Sequence, residues 1–362
     1  MTKLAAGTLP AGSERFHEID LLRALACLMV VFFHYGHRGA LDGWSPVADP
    51  SGLADFARYG YLGVHLFFII SGFVIFLSVQ NATVRDFVAS RVSRLYPAYW
   101  VAVPLTWAFV RFFDLPDLQV SWWEMLVNLT MVPHWFGVPY VDGAYWSLGV
   151  ELQFYILVGV ALKFDLDRRA EWWLAGWLFL ALVNGIRPMY PVEFWLAANW
   201  APLFTFGALA YRIKSHGATA WRLILMACAY LLALWYGIKP FLLLKPGQEI
   251  NQNPWVVAAL LSLFALIFLV IAFGRIKMKR HAVFYWAGLL TYPVYLLHEY
   301  IGYAFLSLLH QNSVGFVSSS ILVLAGVVMV SWGLNRWAEK PLGPRLRRAL
   351  RARALGPIPT AG

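Results

Sequence analysis

Asp20-Leu-Leu-Arg23-Ala-Leu-Ala-Cys-Leu-Met-Val-Val-Phe-Phe-His34-Tyr-Gly-His37 is the stretch on which the fold turns. Between Asp20 and His37 at its ends it is an apolar run interrupted by one arginine and one histidine, without the Gly/Pro clusters that punctuate soluble folds. A helix needs about 20 such residues to cross a hydrocarbon core of roughly 30 Å. No small-residue cleavage site follows it, so it reads as a retained helix rather than a secretory signal. The rest of the chain agrees. Hydrophobic residues make up 60% of the 362 positions and charged residues 13%, against about 45–50% and 25% in soluble domains. The 26 Phe, 18 Trp and 17 Tyr suit a protein whose amphipathic aromatics sit at membrane interfaces. Cys27 and Cys228 both fall in apolar stretches and read as small buried residues.

Hydropathy marks ten spans, near 20–37, 59–79, 96–113, 146–163, 171–187, 196–212, 221–238, 255–274, 283–309 and 316–334. The stretch 121–138 carries Glu124, Asn128, Pro133 and His134 and reads as re-entrant or interfacial. With the N-terminus in the cytoplasm, 22 of the 29 basic residues fall inside, among them Lys3, Arg15, Lys277, Lys279 and Arg280, while Lys245 is one of six outside. This is the bias of the positive-inside rule, and an eleventh span at 121–138 would reverse it. The expected fold is therefore an all-α polytopic bundle of about ten spans with both termini cytoplasmic. It divides into a cytoplasmic segment 1–18, a transmembrane domain 19–340 and a basic tail 341–362, with no soluble domain appended. The tail (Arg345, Arg347, Arg348, Arg351, Arg353) suits an anionic membrane surface. These placements account for the net charge of +10 without nucleic acid as a partner.

Ionisable side chains inside such spans are costly, and each is a pairing or functional candidate. Arg23 and His34 lie in the first span, His65 and Ser71 in the second, Glu151 in the fourth, His298 and Glu299 in the ninth. Eleven helical steps return Arg23 and His34 to within about 20° of one face, on the order of 16 Å apart along the axis. An anchoring arginine with an interhelical histidine is the plainer reading of that pair. Topology also sets His34, His65, Glu151 and His298 at comparable depth in the outer half. Arg91 and Arg94 close a cytoplasmic loop; with Arg23 they would form a cationic pocket suited to phosphates, from which a reactive end roughly 16 Å away reaches His34.

These segments resemble the membrane acyltransferase-3 family, which includes polysaccharide and lipopolysaccharide O-acetyltransferases. The resemblance rests on Arg23-x10-His34, on Gly63-Val-His65-Leu-Phe-Phe-Ile-Ile-Ser71-Gly-Phe, and on Arg91-Val-Ser-Arg94 before Tyr96-Pro97. It continues with Trp146-Ser-Leu leading to Glu151, with Tyr292-Pro-Val-Tyr-Leu-Leu-His298, and with Glu339-Lys-Pro341. Two departures stand out: His65 occupies a position where many members carry Asp, and Arg-Val-Ser-Arg lacks the doubled arginine frequent there. The resemblance implies an acyl-coenzyme A co-substrate (acetyl-CoA by default) on the cytoplasmic side, no metal, and a glycan or glycolipid acceptor. It also implies residence in a bacterial inner membrane, in contact with lipid, as a homo-oligomer or within a polysaccharide biosynthesis complex.

On this basis His34 is expected to act as general base on a sugar hydroxyl, with Glu151 orienting it in the manner of a buried carboxylate behind a catalytic histidine. Arg23, Arg91 and Arg94 are expected to hold the donor's phosphates. His65, Ser71, Trp146, Tyr292 and His298 are the candidates for substrate contact. The rival reading is a transporter or flippase of a glycan precursor, its ionisable groups serving as a relay; a non-catalytic assembly partner is a third.

Overall fold

The computed structural model describes residues 16–45, 52–243, 252–275 and 282–352. Lys3, Arg15, Lys245, Lys277, Lys279, Arg280 and Arg353, used above to weigh orientation, lie outside the described residues. Every regular element described is helical. The long helices are α1 (His17–Phe33), α2 (Leu62–Ser78), α3 (Val84–Phe112), α4 (Trp146–Lys163), α5 (Ala170–Ile186), α6 (Ala201–His216), α7 (Ala220–Leu242), α8 (Pro254–Ala272), α9 (Ala282–Leu297), α10 (Tyr300–Gln311), α11 (Phe316–Leu334) and α12 (Lys340–Ala352).

Local chemistry sets several starts. Thr83 accepts from the Asp86 N–H ahead of α3 and Thr219 from the Arg222 N–H ahead of α7. Asn253 caps α8, where Pro254 takes a first-turn position that needs no N–H donor. Ser121 and Glu124 form a reciprocal capping box on the short helix Trp122–Asn128. That helix and the 3-10 turn Pro133–Phe136 are the helical elements of 121–138, so this stretch does not cross as a long helix.

Six helical stretches are long and apolar enough to cross a membrane: His17–Leu41, Ala54–Ser78, Gly143–Lys163, Ala220–Leu242, Pro254–Ala272 and Phe316–Ala352. The other four expected spans are also helical but differ in form. α3 starts twelve residues before the expected 96 and runs through Pro97 and Pro104. Arg91 and Arg94 are thus helical residues one turn apart and not loop residues, because the Thr83 cap starts the helix ahead of them. α5 and α6 are 17 and 16 residues long. The expected span 283–309 breaks at His298 and Glu299, between α9 and α10. α1 begins at His17, and its first-turn residues His17, Glu18 and Asp20 are all buried.

Two glycines let α2 and α6 cross in near backbone contact. A Cβ at Gly72 would overlap the Phe204 carbonyl, and one at Gly207 would overlap that of Ile69. Nothing flexible lies in the way, so the backbones themselves would have to part. Gly207→Leu should cost about 3 kcal/mol, which a thermal melt of the detergent-solubilised protein will register as a large drop; a wild-type melt would contradict this packing. At one end of the bundle Glu171 of α5 accepts from Arg212 of α6 (3.1 Å) and Arg222 of α7 (2.7 Å), tying three helices together.

Candidate active site

Two cavities lie back to back, and Val64 of α2 and Tyr295 of α9 belong to the walls of both. The first holds the histidines. It has about 920 Å³ of unfilled space, part of it open, lined by His34, Arg38, His65, Trp146, Trp200 and Glu299 among others. α1 passes into it through a π-helical turn, His34–Arg38, in which the hydrogen-bond ladder shifts by one residue. Such turns recur at functional positions because they re-aim one side chain without ending the helix.

His34 Nδ1 lies 3.1 Å from Glu299 Oε1 and 3.0 Å from the Tyr303 hydroxyl. With Glu299 ionised its carboxylate only accepts, so Nδ1 carries the proton and Nε2 keeps its lone pair; Nε2 has no protein partner among the described residues. The His298 ring stands edge-on to His34 at 5.0 Å between centres. Its Nδ1 donates to the Tyr295 carbonyl at 2.8 Å, and its buried Nε2 has no partner.

The break between α9 and α10 is what presents Glu299. Its backbone leaves the helical region (φ −77°, ψ −81°), and Asp142 Oδ2 accepts from the freed Tyr300 N–H at 3.2 Å. A broken helix at this depth survives only when such groups regain partners. Asp142 Oδ1 also accepts from the Ala144 N–H at 3.0 Å, and a side chain at Gly143 would collide with the Glu299 carboxylate. The turn 142–145 is therefore fitted to that carboxylate.

The second cavity, with about 770 Å³ of unfilled space, is lined by Arg23, Arg91, Arg94, Ser71, Glu151 and Tyr292 together with apolar side chains such as Phe67 and Ile75. Arg91 is wedged beside the rings of Phe87 (6.0 Å) and Tyr155 (5.9 Å), and its buried Nε has no acceptor. Glu151 accepts from the Ser71 hydroxyl at 2.7 Å and the Tyr155 hydroxyl at 2.6 Å. Tyr292 donates to the Leu95 carbonyl at 3.0 Å. In the shared wall, the Tyr295 hydroxyl lies 2.6 Å from Ser147 Oγ and its ring meets Phe67 edge-on.

His34, His65 and Trp146 thus meet in one cavity with His298 beside them, while Arg23, Arg91, Arg94, Ser71 and Tyr292 meet in the other. The expectation for Glu151 needs correction. It does not contact His34; it joins the arginine cavity, and Glu299 takes the place beside the histidine. The reason lies in its hydrogen bonds, since the Ser71 and Tyr155 hydroxyls that donate to it line the arginine cavity. Asp142, Tyr303 and Tyr295 were not singled out from sequence. Tyr303 was within reach, since it sits four residues after Glu299 and so on the same helix face. No group of three or more His, Cys, Asp or Glu is placed to hold a metal ion among the described residues.

The sequence pattern of a family described as an acyltransferase domain (Acyl_transf_3) matches residues 16–336. The peptidoglycan O-acetyltransferase OatA of Listeria monocytogenes is 28% identical over 160 residues, 39% of this chain and 23% of that protein. The exopolysaccharide production protein ExoZ of Rhizobium meliloti is 31% identical over 134 residues, 34% of this chain and 40% of ExoZ. In both cases the matched stretch is less than half of the relative. The acyltransferase MdmB of Streptomyces mycarofaciens is 23% identical over 361 residues, 90% of this chain and 91% of MdmB. No solved structure matches the chain.

Proposed function

The chain belongs to the acyltransferase-3 family, and from that premise we propose that it moves an acyl group, acetyl by default, from acyl-coenzyme A to a glycan hydroxyl inside the membrane. The observation that carries this is the pairing of the His34–Glu299–Tyr303 group with a separate arginine cavity across a shared Tyr295–Val64 wall. Arg23, Arg91 and Arg94 hold the donor by its phosphates, for which planar guanidinium groups are suited. The mostly apolar remainder of that cavity accepts the uncharged thioester arm. The acceptor enters the histidine cavity, whose Trp146 and Trp200 rings, 5.2 Å apart between centres, give the apolar faces of a sugar something to pack on.

His34 Nε2 takes the proton of the attacking hydroxyl as its oxygen bonds to the thioester carbon. Glu299 and the Tyr303 hydroxyl hold the imidazolium that results. The carbon–sulfur bond then breaks, and the same proton passes to the leaving thiolate, giving an ester and a free thiol. The wall has to open for the two substrates to meet, and Tyr295 is the side chain to turn aside.

This reading sets the arginine cavity and both termini on the cytoplasmic side of a bacterial inner membrane, with ten helical crossings. It draws on the charge bias and on the glycan-modifying names of OatA and ExoZ. The test is to incubate membranes containing the protein with acetyl-CoA labelled in the acetyl group and to analyse surface glycans by mass spectrometry. Labelled ester on a glycan is the expected result. Glycan movement without any donor dependence would point to a transporter and overturn the proposal.

A further inference from the structure

The family match ends at residue 336, but the chain continues into α12, a helix rich in arginine and placed against α3. Arg351 pairs with Asp86 at 2.6 Å, and Arg85 Nε donates to the Leu350 carbonyl at 2.9 Å. Gly343 packs on the Ser93 carbonyl. Alongside these contacts runs a third cavity with about 980 Å³ of unfilled space, much of it open, lined by Ser90, Ser93, Arg94, Glu339, Lys340 and Arg347 among others.

Arg94 belongs to the walls of this cavity and of the arginine cavity, so the two adjoin at that residue. Among the described residues, neither Arg94, Lys340 nor Arg347 is held by the protein in a hydrogen bond or ion pair of ordinary length. Lys340 lies 5.1 Å from the Trp286 ring centre, a contact that leaves its N–H donors unspent. Glu339, the carboxylate in the cavity wall, accepts from Asn335 Nδ2 at 2.5 Å. Three cations therefore face an open cavity against one carboxylate.

We propose that this vestibule seats the adenosine 3′-phosphate end of the acyl donor, with Lys340 and Arg347 of α12 contacting that phosphate and Arg94, which lines both cavities, marking the passage to the arginines that hold the pyrophosphate. The assignment rests on the coenzyme-A reading above and extends it. The terminal phosphate charge stays at a wet, cationic mouth because burying it among apolar side chains is costly, whereas the pyrophosphate reaches the guanidinium groups of the arginine cavity and the neutral thioester arm proceeds beyond them. A lipid headgroup offers the same phosphate chemistry, so the test separates the two sources.

The test uses the full chain in neutral phosphatidylcholine nanodiscs, comparing wild type with Lys340→Gln/Arg347→Gln. The double variant should raise KM for acetyl-CoA about tenfold or more with kcat unchanged, as expected from losing charge-assisted phosphate contacts. It should leave kinetics with acetyl-N-acetylcysteamine, a thioester without phosphates, as they are. Adenosine 3′,5′-bisphosphate should bind the wild type and bind the variant at least tenfold more weakly, a readout independent of transfer. Arg348→Gln, on the exposed side of the same helix, should match wild type and show that α12 stays docked.

Unchanged KM and unchanged bisphosphate binding in the double variant overturn the vestibule. An effect of equal size on both thioesters, or one that appears only when phosphatidylglycerol is added to the nanodisc, overturns it as well. If wild type binds the bisphosphate through these residues yet transfers no acetyl group, the vestibule stands and the reaction assignment falls.

Discussion

His34→Ala is expected to lower acyl transfer by about 10²–10⁴-fold, the range a positioned general base contributes. The imidazole is the group in its cavity whose Nδ1 meets a carboxylate and a tyrosine hydroxyl while its other nitrogen has no protein partner among the described residues. Alanine would also strand the buried Glu299 carboxylate, at a cost of several kcal/mol for an unpaired charge. His34→Asn separates the two effects. Its side-chain N–H can still donate to Glu299, so the melt should stay close to wild type while transfer is lost. Donor binding, measured with adenosine 3′,5′-bisphosphate, should be unchanged in both variants, since the arginines line a different cavity. Full transfer by His34→Asn would remove His34 from the reaction.

Glu299→Gln is expected to be nearly as damaging, with kcat down by about 10³–10⁴-fold, as when a triad carboxylate becomes an amide. A neutral amide cannot hold the imidazolium, and it can offer Nδ1 an N–H, which favours the tautomer with the lone pair on the wrong nitrogen. KM for acetyl-CoA should stay within about twofold, because an interaction made mainly in the transition state affects kcat. Glu151→Gln supplies the contrast. Its partners are Ser71 and Tyr155, beside the arginines, so its effect should fall on the KM of the donor. A severe kcat loss in Glu151→Gln with none in Glu299→Gln would return the role to Glu151.

The helical class was legible in residues 20–37 alone, because a long apolar run with two ionisable interruptions has few other uses. Which candidates share a cavity was not. Depth along a helix follows from residue spacing, and the structure has Arg23 and His34 in the walls of two different cavities. Lateral contact depends on where each helix starts and breaks. Glu151 is held by Ser71 and Tyr155 instead of meeting His34, and Glu299 shows no role in the sequence because hydropathy runs straight through the break at 298–299. Arg91 and Arg94 read as loop residues because the apolar run starts only near 96, whereas the Thr83 cap begins that helix two turns before Arg91.

The wall shared by the two cavities also bears on leakage. A membrane potential of 100 mV is worth about 2.3 kcal/mol per elementary charge, and two water-accessible recesses meeting across a thin partition would concentrate that field there. Tyr295, pinned by Ser147 and packed against Phe67 and His298, then acts as insulation as much as architecture. An enzyme of this form must let an acyl group through while refusing protons. Shortening Tyr295 to glycine would trade away electrical tightness, and the cell would register it as a depolarised membrane before any change in its surface glycans.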